Sequence, residues 1–465
     1  TDGKLRYFNH IIPEETAINS TSIEDAEDKV RRFLETQTDI NLKDWELKDR
    51  STEAQKARVD YSFTYRKSNV EIYGAHFEIH IKVKGDQIGF FQNYLELPEY
   101  WERNYKKLRS QNDTTAFIAM AFLILLGISS AGFFVYQAIK GQINVKVGII
   151  FGVITFVIFF ISKLNTLPLS FFYYKTSQSF SNFYVDLLIS YLINSLLYGL
   201  AVFFLASAGD SLYKSMFPKK QKLVAAFSWQ GMQTKEFFYA NLTGFVAAFV
   251  FIAFQIIFYL VAEKFGAWSP AQVSYSEVIN TKFPWIFILF AGFIPAVTEE
   301  FCFRLYGIPL FEKFSKSKLF AIIITAIIWG FAHSNYPNQP FWIRGLEVSI
   351  FGIATGYIFI QFGIIATLVW HYTVDAFLTV LMFANSGKTA IIISTVIAAS
   401  LGLFFLLYNL FFYLKNKGFL DDERLINRSS QVEPDETLLT EEMKPETLAH
   451  ISSDLPHFTK NQVYA

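Results

Sequence analysis

One cysteine, Cys302, in a chain of 465 residues leaves no partner for an intrachain disulfide and excludes a multi-cysteine metal centre. No glycine-rich phosphate loop accompanies a long apolar segment, so an ATP-driven pump lacks its signature. An excess of either charge is missing too. Lys+Arg and Asp+Glu number 41 each, so the whole-chain charge draws the protein neither to nucleic acid nor to an acidic partner. The chain begins at Thr1 rather than Met, which leaves room for an upstream signal or spanning segment that has been removed. Apolar surface, by contrast, is abundant. The chain is 52% hydrophobic and 18% aromatic, with 52 phenylalanines, which puts it outside ordinary soluble domains and makes a polytopic membrane protein the first expectation.

Residues 1–110 read as a separate soluble α+β domain. Ser22 can cap a helix whose apolar positions Ile23, Ala26, Val30, Phe33 and Leu34 follow helical spacing. In "ARVDYSFTY" and "AHFEIHIKV" apolar and polar residues alternate as in half-buried strands, so one helix against a meander is expected. From Thr115 onward, runs long enough to cross a bilayer recur near 115–138, 147–162, 187–209, 237–262, 283–312, 318–334, 341–361, 364–385 and 389–414. The fold class is therefore an all-α polytopic membrane bundle of about nine transmembrane helices behind the soluble domain. Residues 115–235 read as accessory transmembrane helices and a basic loop, 236–415 as the core, and 416–465 as a disordered polar tail. "QFG" between two of the runs reads as a tight turn.

Basic residues cluster at Lys214–Lys235, at Lys313–Lys318 and after Leu414, and nine alternating spans put these three groups on one side. That side is expected to be the cytoplasm of a bacterial plasma membrane, with the soluble domain on the non-cytoplasmic side. Arg103, Lys106, Lys107 and Arg109, just before the first span, weigh against it.

The segment "FIPAVTEEFCFRLYG" puts two glutamates and an arginine where hydrocarbon is expected, and ionisable groups at such depth read as functional. Glu300 and Arg304 are spaced i, i+4 and can pair, leaving Glu299 about 100° around the helix to face another partner. Of seven histidines, only His333 and His371 lie in or beside apolar runs. His371 stands four residues before Asp375, which can orient or polarise its imidazole. A rise of about 1.5 Å per residue places Glu299, His333 and Asp375 roughly 18–22 Å from the basic end, in one layer. A carboxylate and two histidines converging there can activate water, relay protons or bind a metal. The same groups also suit a secondary transporter or a catalytically silent membrane scaffold.

In order along the chain, "EEFCFR", "WGFAH" and "HYTVD" resemble the EExxxR, FxxxH and HxxxN/D signatures of the CPBP intramembrane proteases, the CAAX-protease and bacteriocin-processing group; the likeness covers residues 240–385. The resemblance implies an intramembrane endopeptidase acting on a membrane-associated protein or peptide in the lipid bilayer. It implies Glu299 as water-activating base with Glu300 beside it and Arg304 supporting. His333 would complete the water site, and His371 and Asp375 would stabilise the oxyanion. Trp329 replaces the usual Phe of the second signature, an exchange expected to preserve packing, and Asp375 stands where Asn is common. An ionised Asp cannot donate to an oxyanion, so Asp375 would be protonated, orient His371 or ligate a metal. Glu299, His333, His371 and Asp375 suit a divalent metal such as zinc by ligand type, without the local HExxH pairing of a zinc-protease helix.

Three other features read more plainly. His76, Glu78 and His80 share a strand face expected to be solvent-exposed. Arg344 and Glu347 read as an interfacial i, i+3 pair. Cys302 reads as packing, since a buried thiol without an activating neighbour is inert.

Overall fold

The computed structural model describes residues 4–270, 276–384 and 386–427. The N-terminal domain sets one helix, α1 (Ile23–Gln37), against strands β1 (Tyr7–Asn9), β2 (Trp45–Ala54), β3 (Val59–Ile72), β4 (Ala75–Lys84) and β5 (Gln87–Glu96). The Ser22 hydroxyl accepts the Asp25 amide and so starts α1. Ala26, Val30 and Leu34, one helical turn apart, are fully buried against Phe63, Ile79, Ile81 and Phe91. Burial of each Val or Leu contributes roughly 1.5–3 kcal/mol, which is what holds the helix to the sheet. The sheet is antiparallel in the order β1-β5-β4-β3-β2, the meander expected with one short edge strand added. At the β3–β4 hairpin Tyr73 and Gly74 both take left-handed φ values, 51° and 82°, as a tight two-residue connection demands.

The open face of this sheet differs from expectation. Glu78 is 1% exposed and accepts from Lys48 (2.7 Å), Arg66 (3.0 Å) and the Tyr94 hydroxyl (3.1 Å). Long side chains from β2, β3 and β5 fold over the central strand, which strand alternation cannot register. Burial alone would raise the Glu78 carboxyl, but these hydrogen bonds outweigh it and hold the group below its ordinary range. His80 packs edge-on to Phe90 beside Thr64, so this face is a hydrogen-bonded lattice.

The sheet ends at Glu96, and a single helix α2 (Glu99–Ile139) continues into the bundle, so residues 99–110 belong to the first span's own helix rather than to the compact domain. The bundle adds α3 (Val145–Ser170), α4 (Phe180–Met216), a short turn α5 (Leu223–Ala226), α6 (Lys235–Glu263), α7 (Pro284–Glu300), α8 (Ile308–Ser315), α9 (Lys318–Ala332), α10 (Ile343–Phe362), α11 (Ile364–Ala384), α12 (Thr389–Ala399) and α13 (Leu401–Asn416). Among the described residues eight helical segments are long and apolar enough to cross a membrane, or nine with α12–α13, bent by 59°, counted as one. The expected span at 283–312 is α7 and α8 joined by a π-helical turn, Phe301–Gly307. Gly363, at φ 81°, makes the turn read from "QFG".

Two ends of the bundle are distinct. At one, the soluble domain meets the 171–179 connection through Glu14 and Thr176, and Trp268 pairs with Gln339. At the other, Lys220 donates to the Gln361 carbonyl, Gln221 pairs with Ile426, and Lys313 lies over the Phe133 ring. The tail expected to be disordered from 416 is instead held as far as Asn427, whose amide donates to the Lys220 carbonyl (2.7 Å), because its first residues add backbone pairings to the 220–234 loop. Its remainder lies outside the described residues.

Candidate active site

Three helices that are distant in sequence bring the expected residues together. α7 supplies Glu299 and Glu300, the end of α9 supplies His333, and α11 supplies His371 and Asp375. Close helix contacts set their positions. A side chain on Gly330 would run into Ser349 and the Gly345 carbonyl (2.6 Å), so α10 lies directly against α9 just before His333. Gly244 plays the same part between α6 and α11, where a Cβ would come within 3.0 Å of the Trp370 amide nitrogen, one residue before His371.

Glu300 is fully buried and accepts from Arg304 Nη1 (3.0 Å), the i, i+4 pair read from the sequence. Arg304 is 1% exposed, donates to Thr355 Oγ1 (2.5 Å), and lies over the Trp329 ring (4.3 Å). The wide π-helical turn carries Arg304, and such turns recur at functional sites. The two charges are thus paired through Glu300 Oε1, while Glu300 Oε2 is buried without a hydrogen-bond partner among the described residues.

The same Glu300 oxygen lies 2.8 Å from His371 Nδ1. A carboxylate only accepts, so Nδ1 carries the proton there and the imidazole presents Nε2 to the other carboxylates. His371 Nε2 is 3.5 Å from Asp375 Oδ2 and 3.8 Å from Glu299 Oε2. Glu300, rather than Asp375, therefore orients His371; helical spacing pointed to the neighbour on α11 and could not show a closer one on α7. His333 Nδ1 meets the Trp329 carbonyl oxygen (2.8 Å), which leaves its Nε2 facing Glu299 Oε2 at 3.8 Å. Trp329 was expected only to pack, but its indole N–H donates to Glu299 Oε2 (2.5 Å). Thr355 and the Trp329 N–H are the partners that sequence reading missed; hydropathy counts Trp as apolar, and nothing ties Thr355 to Arg304 across 51 residues.

A cavity of about 710 Å³ reaches Asp375 from the soluble-domain end, walled by Tyr336–Asn338, Tyr259 and Arg344. The Arg344–Glu347 pair forms as expected, but Glu347 is fully buried rather than interfacial and also faces Gln255 and Tyr259. Cys302 is buried, in keeping with its reading as packing. The donors suit a divalent ion by type, yet among the described residues no group of three or more His, Cys, Asp or Glu side chains is placed to hold one.

Residues 281–377, which enclose all six of these ionisable residues, match the family described as type II CAAX prenyl endopeptidase Rce1-like. Over this segment the chain is similar to the CPBP-type proteases. A curated relative, the sporulation-killing factor biosynthesis protein SkfC of Bacillus subtilis (strain 168), is 28% identical over 187 residues. The match takes in 40% of this chain and only 35% of SkfC's length. No solved structure matches this chain.

Proposed function

We propose that the chain is an intramembrane endopeptidase that hydrolyses a peptide bond of a membrane-associated protein or peptide with water activated by Glu299. The observation that carries this reading is the approach of both histidine Nε2 atoms to one Glu299 oxygen, each at 3.8 Å, from helices distant in sequence. In this mechanism Glu299 takes the proton of a water that His333 helps to hold, the water oxygen attacks the scissile carbonyl, and Glu299 returns the proton to the leaving amine. His371, protonated on both nitrogens, gives Nδ1–H to Glu300 and offers Nε2–H to the oxyanion. Asp375 in its neutral form adds a second donor. Every step of this mechanism is carried by these side chains and water. Glu300 and Arg304 hold the geometry. The cavity lined by Asp375, Tyr336 and Arg344 supports the soluble-domain end as the side from which substrate and water arrive. By the basic loops at the opposite end, that side is the non-cytoplasmic one of a bacterial plasma membrane.

The test compares membrane proteomes of cells carrying wild type or Glu299→Gln, with the variant confirmed as folded and membrane-inserted. A fragment whose new terminus depends on Glu299 is expected, and the purified variant should lose about 10²–10⁴-fold in rate. Near-normal turnover in that variant would remove Glu299 as base. Full membrane integration with no Glu299-dependent fragment would favour a transporter or a silent scaffold.

A further inference from the structure

Trp329 stands at the last turn of α9 and is 3% exposed, enclosed by the rings of Trp370, His333 and His371. Such a ring has little freedom to rotate. Three groups of the site meet it in three different ways. Its N–H donates to Glu299 Oε2, its face carries the Arg304 guanidinium, and its backbone carbonyl holds His333 Nδ1. Glu299 itself is less enclosed, with 24% of its side chain open, and its other contacts at 3.8 Å are too long to be hydrogen bonds. The carboxylate that must take a proton is therefore oriented chiefly by one indole.

We infer that Trp329 is a positioning residue for Glu299, its N–H fixing the carboxylate oxygen that both histidines face and so setting the orientation in which Glu299 takes the water's proton. The inference rests on the proteolytic reading above for its kinetic consequence, though not for the contact itself. A Phe at this place could fill the same space and stack under Arg304, but it has no donor.

Two measurements on the full-length protein in lipid nanodiscs test this. In the first, the Trp329 indole resonance of ¹⁵N-Trp-labelled protein is assigned by its loss in Trp329→Phe and followed in Glu299→Ala. It is expected to shift to the value of an indole without a charged acceptor. An unchanged resonance overturns the inference, whatever the protein cleaves. In the second, an internally quenched peptide spanning the Glu299-dependent cut is turned over by wild type, Trp329→Phe and a variant with benzothienylalanine at 329, which keeps the indole shape without the N–H. Both variants are expected to lose about 10- to 100-fold in kcat with KM little changed, the size of a hydrogen bond to an ionised group. Wild-type kcat in the benzothienyl variant, or a loss carried by KM, overturns the positioning role. Failure of wild type to cut anything would sink the proteolytic reading and leave the resonance experiment to decide the contact.

Discussion

At the scale of single residues, the three carboxylates near His371 have different surroundings and should respond differently to loss of charge. Glu300 is fully buried between Arg304 and His371 Nδ1, so Glu300→Gln unpairs a buried guanidinium and loosens the imidazole together. Breaking a buried pair of this kind costs about 3–5 kcal/mol, and the variant is expected to show reduced yield and thermal stability along with lost activity. Asp375 keeps 30% of its side chain open and lies beyond hydrogen-bond distance of His371, so folding depends on it little. In the proposed mechanism it donates to the oxyanion, which Asn can do in either protonation regime. Asp375→Asn is therefore expected to retain substantial activity with normal stability, and to do so without bound metal. Activity and metal content measured together decide the point. An inactive variant that has lost a divalent ion, and recovers when the ion is added in excess, would make Asp375 a ligand instead.

At the scale of elements, α2 couples parts of the chain that are far apart. Asn112, fully buried on α2, donates to the carbonyls of Ser334 (2.9 Å), Tyr336 (3.1 Å) and Asn338 (3.0 Å) and accepts from Gln339 (2.5 Å), while Arg109 donates to the Asn335 carbonyl (2.6 Å). One helix thus grips the loop that follows His333 and walls the cavity. Asn112→Ala leaves buried carbonyls without their donor, a cost of about 1–3 kcal/mol concentrated in that loop. Faster amide exchange over 334–339 is expected, with slower cleavage and little change in the exchange of α11; exchange unchanged in the loop would show that α2 merely lies beside it. Nothing in the sequence announces this contact. Elements whose cause is local were legible: the Ser22 cap, the α1 stripe, the turn at Gly363 and the Glu300–Arg304 spacing all follow from neighbours within a few residues. What escaped depends on partners 12 to 227 residues apart, or on backbone geometry that side-chain patterns do not encode. The π-helical turn reads as ordinary helix in "FCFRLYG", and Glu78 reads as exposed because alternation along β4 says nothing of Lys48, Arg66 and Tyr94 folding over it.

At the scale of the whole molecule, chemistry and charge divide between the two ends. The cavity opens beside the soluble domain, and the basic loops with the retained start of the C-terminal tail lie at the opposite end. Lys and Arg in short loops favour the cytoplasmic face, so the soluble domain and the mouth of the cavity should face away from the cytoplasm. Arg103, Lys106, Lys107 and Arg109 oppose this, but they lie on α2, where Arg103 and Lys106 pair with Glu99 and Glu102 one turn earlier, and Arg109 pairs with Asp113 and holds the Asn335 carbonyl. The opposite end nevertheless carries more Lys and Arg in its short connections, among them Lys219, Lys220, Lys222, Lys313, Lys316 and Lys318. The native chain is well suited to settling the matter, because its one cysteine is buried and will not react with an aqueous probe. A cysteine placed at Tyr73, which is 96% exposed at the β3–β4 hairpin, is expected to take a membrane-impermeant maleimide in intact cells. Lys219→Cys is expected to react only after the membrane is opened. The reverse pattern would put the soluble domain and the cavity in the cytoplasm, and the substrate would then have to present its scissile bond from that side, across the surface that α2 and the loop after His333 form together.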